Sequence, residues 1–237
     1  GIIGGSQMHR YTGRLRADYQ AKKWLKLGAT MSFTNFNWDN GNADEGSASS
    51  ASNVFGVASS MAPIYPLYVR GEDKQILYDS YGRKRYDYGY YENGAYRPNF
   101  TQSNPVSDMF LNKNNTEGNA FNVLGFAEAS FLKDFKFTFN VGVNVDETRN
   151  TTVYNKFYGQ FAANGGVIEK SHGRMLDMNI QQLLEWNRTF AGNHHFGLLL
   201  GHEWQKSTTV SLGGSKSQMS SADKDELNSA VIDNKTA

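Results

Sequence analysis

The chain has 237 residues, room for one large or two small domains. Its 24 Lys and Arg balance 23 Asp and Glu, and a net charge of +1 with no basic cluster gives no pull toward nucleic acid. There is no cysteine, which excludes disulfides and thiolate metal sites.

Thirteen Tyr and fifteen Phe among 14% aromatics suit a pleated, half-buried surface, so the composition leans to β structure. No run of roughly 18 apolar residues exists to make a transmembrane helix. The mean hydropathy of −0.59 leaves a membrane barrel open, because only half of each barrel strand is apolar. The opening "GIIGGSQMHRYTGR" lacks a basic region followed by an apolar one, so it does not read as a secretory signal. The chain is expected to begin in the cytoplasm or to be a piece of something longer.

Six segments alternate with period two. The first, near 10–20, sets Tyr11, Leu15, Ala17 and Tyr19 against Arg10, Arg14, Arg16 and Asp18. The second, near 24–36, sets Leu25, Leu27, Ala29, Met31 and Phe33 against Lys26, Thr30, Ser32 and Thr34. The long stretch 38–118 follows. It opens on "NGNADEGSASSASN", which reads as a polar loop tip. It then turns aromatic: Tyr65, Tyr68, Tyr78, Tyr81, Tyr86, Tyr88, Tyr90, Tyr91 and Tyr96 crowd together. A loop this long inside a compact domain is usually functional.

The third segment, near 119–132, has one clean face of Phe121, Val123, Ala127, Ala129 and Phe131. Its other face is mixed, with Asn122, Glu128 and Ser130 beside Leu124 and Phe126. The fourth, near 135–146, alternates most strictly: Phe137, Phe139, Val141, Val143 and Val145 against Lys136, Thr138, Asn140, Asn144 and Asp146. The fifth, near 174–188, carries Leu176, Met178, Ile180, Leu184 and Trp186 on one face. The sixth, near 195–205, carries Phe196, Leu198, Leu200 and Trp204. Gln182 and His202 are the only strongly polar residues on any of these apolar faces.

Alternation alone fits a soluble β-sandwich as well as a membrane barrel. The connections separate them. "QAKK", "LKD" and "TFAGNHH" are short; the stretches 38–118, 149–173 and 206–237 are long. A meander then places every short turn at one end and every long loop at the other, as transmembrane barrels do. A Greek-key sandwich has no reason to sort its loops. Phe131 and Phe135 share a face if residues 132–134 form a three-residue turn. Trp24, Phe131, Phe135, Trp186, Phe190 and Phe196 are expected to ring the short-turn interface. Phe36, Trp38 and Trp204 are expected to ring the other. The fold class is therefore all-β, a segment of an antiparallel up-and-down transmembrane barrel. Leu27, Met31, Phe137, Phe139, Val141, Val143, Ile180, Leu184, Leu198 and Leu200 are expected to face lipid.

These residues also carry a family likeness. "RLRADYQAKKWLKLGATMSFT" resembles the first barrel hairpin after the plug in SusC/RagA-type TonB-dependent transporters. "YDSYGRKRYDYG" with the later Asn104 and Pro105 resembles that family's long extracellular loop. "FAEASFLKDFKFTFNVGVN" and "LLEWNRTFAGNHHFGLLLGHEWQ" resemble its following hairpins, in family order over residues 8–206. The resemblance implies barrels of about 22 strands with a plugged lumen. It further implies TonB-coupled import of oligosaccharides or peptides across the outer membrane, and a SusD-like surface lipoprotein as lid. The chain shows no signal, plug, TonB box or closing strand, so it is expected to be an internal slice of such a transporter.

No catalytic, cofactor or metal site is expected, and the protein does not read as an enzyme. "GIIGGS" precedes no helical pattern, and HExxH is absent. His194 and His195 fall in a turn, and His202 and Glu203 point to opposite faces of a strand. The tyrosines of 65–96 are the candidate contacts, through ring stacking on a ligand or packing on a partner. Packing of the loop on itself is the plainer alternative. A soluble, secreted β-sandwich that binds glycans through this segment is the rival reading, and a surface glycosidase the weakest.

Overall fold

The structure is a computed structural model that describes residues 6–40, 54–89, 97–98 and 104–236. Seven strands form one antiparallel sheet in sequence order: β1 (Ser6–Lys22), β2 (Leu25–Asn40), β3 (Lys113–Phe131), β4 (Phe135–Tyr154), β5 (Val167–Phe190), β6 (His194–Met219) and β7 (Ala230–Thr236). Two short helices, α1 (Val54–Ser60) and α2 (Pro105–Leu111), lie in the long connection between β2 and β3.

The short turns are as tight as expected. Phe131 pairs with Phe135 across residues 132–134, where Leu132 and Lys133 take the left-handed conformation at φ 48° and 63°. The turn between β5 and β6 uses Ala191 at φ 49° and Gly192 at φ 77°.

The strands outrun the alternating segments, mostly at the long-loop end. β3 begins at Lys113 rather than near 119, and β4 ends at Tyr154 rather than near 146. β5 begins at Val167 rather than near 174, and β6 runs to Met219 rather than ending near 205. The expected loops shrink accordingly: 149–173 becomes 155–166, and the expected tail after 206 contains the end of β6 and the whole of β7. The physical reason is visible in the register. Beyond Val145 and Leu176 the formerly apolar face carries Glu147, Arg149, Arg174 and His172. Alternation ends there, but the backbone ladder does not depend on it.

Residues directly opposite across an antiparallel pair share a face. The apolar rows therefore continue from strand to strand. Leu25, Ala129, Phe137, Leu184 and Leu200 form one row. Ala17, Ala29, Gly125, Val141, Ile180 and Trp204 form another. Leu15, Met31, Val123, Val143 and Met178 form a third.

β1 has no partner on its outer edge among the described residues, and β6 pairs with β7 only from Gly214 onward. The small buried cluster of Val153, Ile168, Met219 and Ala230 sits at the long-loop end, where the segment before β7 folds onto the sheet.

Candidate functional site

Two surfaces stand out: the apolar wall and the tyrosine-rich cap. The wall is built by period two alone. From Phe135 to Val145, ten residue steps of ~3.4 Å give ~34 Å along β4. At the ~40° tilt of membrane barrels this is ~26 Å of height, close to the apolar band such barrels present. The ten residues expected to face lipid all fall on this one face. Leu27, Met31, Phe137, Leu198 and Leu200 are exposed, the last two at 55% and 57%, and the other five are half-buried. A soluble sheet would cover such a face, because contiguous apolar patches of this size are rare on monomers.

Aromatics gather at the short-turn end as expected. Phe131 stacks on Phe135 at 5.6 Å, and Phe190 meets Trp186 at 6.3 Å and Phe196 at 5.7 Å. The second girdle is different. Trp204 lies opposite Ile180 in the middle of the band. Phe36 lies on the polar face opposite Gly118, and Trp38 shares that face two residues on. The upper apolar row belongs instead to Phe33 and Phe121, which sit opposite each other. Lys206 is a further departure. With β6 longer than expected, Lys206 lands opposite Met178 on the apolar face. The two polar residues read from sequence pair with each other there, His202 Nδ1 lying 3.1 Å from Gln182 Oε1.

The opposite face is polar and hydrogen-bonded. Lys136 pairs with Glu185 at 2.9 Å, and Arg16 with Asp18 at 3.0 Å. Asn179 and Gln181 both donate amide N–H groups to Glu203. Phe126 lies flat across Gly28, where an added Cβ would stand 2.2 Å from its ring. This explains the mixed second face of β3: a large ring is seated on a glycine instead of standing out from the polar face.

The cap is a miniature meander. Tyr68 bridges Tyr86, Arg70 bridges Ile76, and Tyr78 bridges Lys84. Its turns are set by aspartates. Asp73 accepts from the N–H of Gln75 at 3.0 Å, and Asp79 from those of Tyr81 and Arg83 at 2.8 and 3.0 Å. Such side-chain to backbone bonds are why Asp favours turns.

The meander docks on the connection between β4 and β5. Tyr158 donates its hydroxyl to Asp79 at 3.0 Å, and the Arg83 guanidinium lies over the Phe157 ring at 3.2 Å. Tyr86 meets Tyr158 edge-on at 5.2 Å, and Tyr88 stacks parallel to it at 6.1 Å. Burial and the hydrogen bond to Asp79 push the Tyr158 phenol up to about 12. Burial, with Asp108 nearby, pushes Tyr88 up as well; its hydroxyl contacts Ser107 Oγ.

Burial works against the Asp79 carboxylate, but the Arg83 and Tyr81 N–H groups, the Tyr158 hydroxyl and the Arg83 guanidinium outweigh it and hold the carboxyl below its usual range. A depressed carboxyl stabilises the fold above its unfolded value of ~3.9, and that contribution is lost as pH falls through the folded value. Hydrogen-exchange protection at the Leu77 and Arg85 amides should therefore hold at pH 6 and begin to decline below about pH 4. Protection unchanged down to pH 2 would contradict this role of Asp79.

Not all the tyrosines play one part. Tyr68, Tyr86 and Tyr88 pack within the cap or against Tyr158. Tyr65 is half-buried. Tyr78 and Tyr81 are the open ones, 59% and 71% exposed. Tyr90, Tyr91 and Tyr96 lie outside the described residues. Tyr158 and Phe157 were not read from sequence as part of this cluster, since they lie on another connection some 70 residues away from the meander; nothing local marked them.

The sequence matches no protein-family description and no curated protein. The fold does find neighbours. A chain of the RagAB peptide importer in its "closed-closed" state matches with TM-score 0.68 and 23% identity, over 98% of this chain and 25% of that one. A chain of the RagAB peptide transporter matches with TM-score 0.65 and 20% identity over the same shares. The "open-open" state of the importer matches with TM-score 0.66 and 22% identity, over 98% of this chain and 24% of that one. This chain shares the fold of a quarter of those importer chains.

The all-β, up-and-down barrel-segment architecture expected from sequence is thereby the observed one, with seven strands in place of about six.

Proposed function

We propose that the chain is a wall segment of an outer-membrane, TonB-dependent importer of the SusC/RagA kind. The observation that carries this is the apolar face, unbroken over strands β1 to β4, interrupted on β5 and β6 by Gln182, His202 and Lys206, about as tall as the apolar band of membrane barrels, and backed by a polar face. The match to RagAB chains supports it. In this reading Leu27, Met31, Phe137, Phe139, Val141, Val143, Ile180, Leu184, Leu198 and Leu200 face lipid. The polar face borders the lumen, and the short turns face the periplasm.

The cap stands on the extracellular side. Its exposed Tyr78 and Tyr81 are the rings we assign to contact with incoming nutrient or with a SusD-like lipoprotein. The imported molecule is a peptide or an oligosaccharide; the name of the RagAB peptide importer favours the peptide. Coupling to TonB would run through parts of the full-length protein other than this chain. The work of this segment is binding and gating, with no covalent step.

An antibody raised against residues 65–96 and used on fractionated source cells tests the reading. A band well above 26.5 kDa in the outer-membrane fraction is the expected result. A 26.5 kDa band in a soluble fraction would replace it with the glycan-binding sandwich.

A further inference from the structure

The two ends of the wall differ in charge. In the first three rows past Val145 and Leu176, the face that was apolar carries Asp39, Glu117 and Glu147 against Arg149, Lys170 and Arg174, so acids and bases balance. The short turns do not balance. Residues 21–24, 131–135 and 187–195 hold Lys22, Lys23, Lys133 and Arg188 against one carboxylate, Asp134. The charges just inside the turns cancel: Lys136 pairs with Glu185 at 2.9 Å, and Lys26 lies opposite Glu128 on the polar face.

Asp134 is taken by Arg188 at 3.7 Å. Lys22, Lys23 and Lys133 are exposed, and none has an ion-pair partner among the described residues. Each ammonium keeps three donors. The two turns that bear them stand two strand spacings apart, ~10 Å. They are also tied together, since the Ser130 N–H donates to the Trp24 carbonyl at 2.8 Å.

The same turns carry apolar groups beside their lysines. Trp24, next to Lys23, is 55% exposed, and Leu132, next to Lys133, is 77% exposed. Leu132 takes φ 48°, a conformation that hairpin turns ordinarily give to Gly or Asn. A turn bathed in water gains nothing from a leucine at that place. Apolar bodies beside ammonium groups fit the boundary layer of a bilayer, where rings and alkyl groups sink and the charges stay among the headgroups.

We propose that the short-turn rim binds the phosphate headgroups of anionic phospholipids in the adjoining leaflet, with Lys22, Lys23 and Lys133 as its cations. The assignment rests on the lipid-facing reading of the wall, which sets this rim at the periplasmic leaflet. Clustered basic residues beside a membrane span attract anionic lipid, and the attraction fades within a Debye length, ~10 Å at 0.1 M salt and ~3 Å at 1 M. The balanced rows at the other end exert no such pull. The rim thereby fixes how deep the wall sits.

Hydrogen exchange tests this on the full-length protein that contains this chain, inserted in nanodiscs of phosphatidylcholine alone or with an equal share of phosphatidylglycerol. At ~0.1 M salt the amides of residues 22–24 and 132–134 should exchange about threefold more slowly with phosphatidylglycerol present. Those of the connection 220–226, at the long-loop end, should not respond. The difference should vanish at ~1 M salt. It should also vanish in Lys22→Gln combined with Lys23→Gln and Lys133→Gln, and survive when the same three become Arg. The salt measurement needs no variant, so it stands even if the triple variant does not assemble.

Equal exchange of the turn amides in the two kinds of disc overturns the proposal. So does a difference that survives the glutamine variant or that residues 220–226 share. Slowing by soluble glycerol phosphate in phosphatidylcholine discs would overturn it too, assigning the rim to a soluble anion. All of these leave the barrel reading intact. Recovery of the wild type as a soluble protein that does not enter the discs would overturn the barrel reading itself.

Discussion

Val141→Arg should destabilise the full-length barrel by about 2–4 kcal/mol, the cost of a cation at the midplane of a lipid-facing strand. Val141 lies opposite Ile180 and Gly125 in the middle apolar row, with two rows above it before the face turns polar. Asn144→Arg, three residues along the same strand, is the matched control. Asn144 belongs to the other face, opposite Asn122 and Asp177. A charge there stays in a wet, polar setting and should cost little. Urea titration of the protein refolded into lipid vesicles gives both numbers. A soluble sandwich would also suffer at Val141, but it would unfold without any need for lipid or detergent. Equal costs at the two positions would mean that neither face is apolar-bound, and the wall reading would fail.

Asn104→Ala should open the cap without touching the wall. This side chain is fully buried and makes four hydrogen bonds. Its Nδ2 donates to the Leu67 carbonyl at 2.9 Å and to the Asp87 carbonyl at 2.8 Å. Its Oδ1 accepts from the N–H groups of Val106 and Ser107 at 3.1 and 3.2 Å, capping α2. One side chain thus ties the first and last strands of the meander to the helix that follows.

Loss of the cap costs ~1 kcal/mol. Losing the buried amide donor costs ~1–3 kcal/mol more, since the Leu67 carbonyl keeps the Asp87 N–H at 3.0 Å while the Asp87 carbonyl loses this bond. The expected local destabilisation is on the order of 2–4 kcal/mol. Limited proteolysis should cut the variant within residues 67–87 under conditions that leave the wild type whole. The strands should keep their hydrogen-exchange protection. Asn104→Asp retains the acceptor and loses both donors, so it should fall between the two.

The wall was legible because its signal is strictly local. Phe137, Phe139, Val141, Val143 and Val145 state the strand, its face and its register with no help from elsewhere in the chain. Parity at Phe131 and Phe135 fixed the hairpin turn for the same reason. Legibility stopped where the apolar rows stopped. Above Val145 both faces of β4 are polar, so Glu147, Arg149 and Thr151 carry no periodic mark although the ladder continues to Tyr154. β7 was missed for that reason too: in "AVIDNKT" its pattern is short and its partner, residues 214–219, is mostly polar.

In the cap the sequence showed a crowd of tyrosines but not their division of labour. That division depends on Tyr158 and Phe157, which reach the meander only through the sheet. The aromatic girdle at the long-loop end was misplaced because Trp204 was assigned from its distance along the chain. The stagger between β5 and β6 decides its height, and it sets Trp204 beside Ile180.

The placement of the cap has an evolutionary consequence. The 72 residues of 41–112 leave from Asn40 and return at Lys113, two ends already brought together by the pairing of Asp39 with Asn115. Closing a loop of that length instead of one like the 12 residues of 155–166 costs only about 1.6 kcal/mol, since the penalty grows with the logarithm of length. The wall therefore tolerates exchange of this insert almost freely. A lineage could lengthen, shorten or replace the insert while the register of β2 on β3 is inherited unchanged.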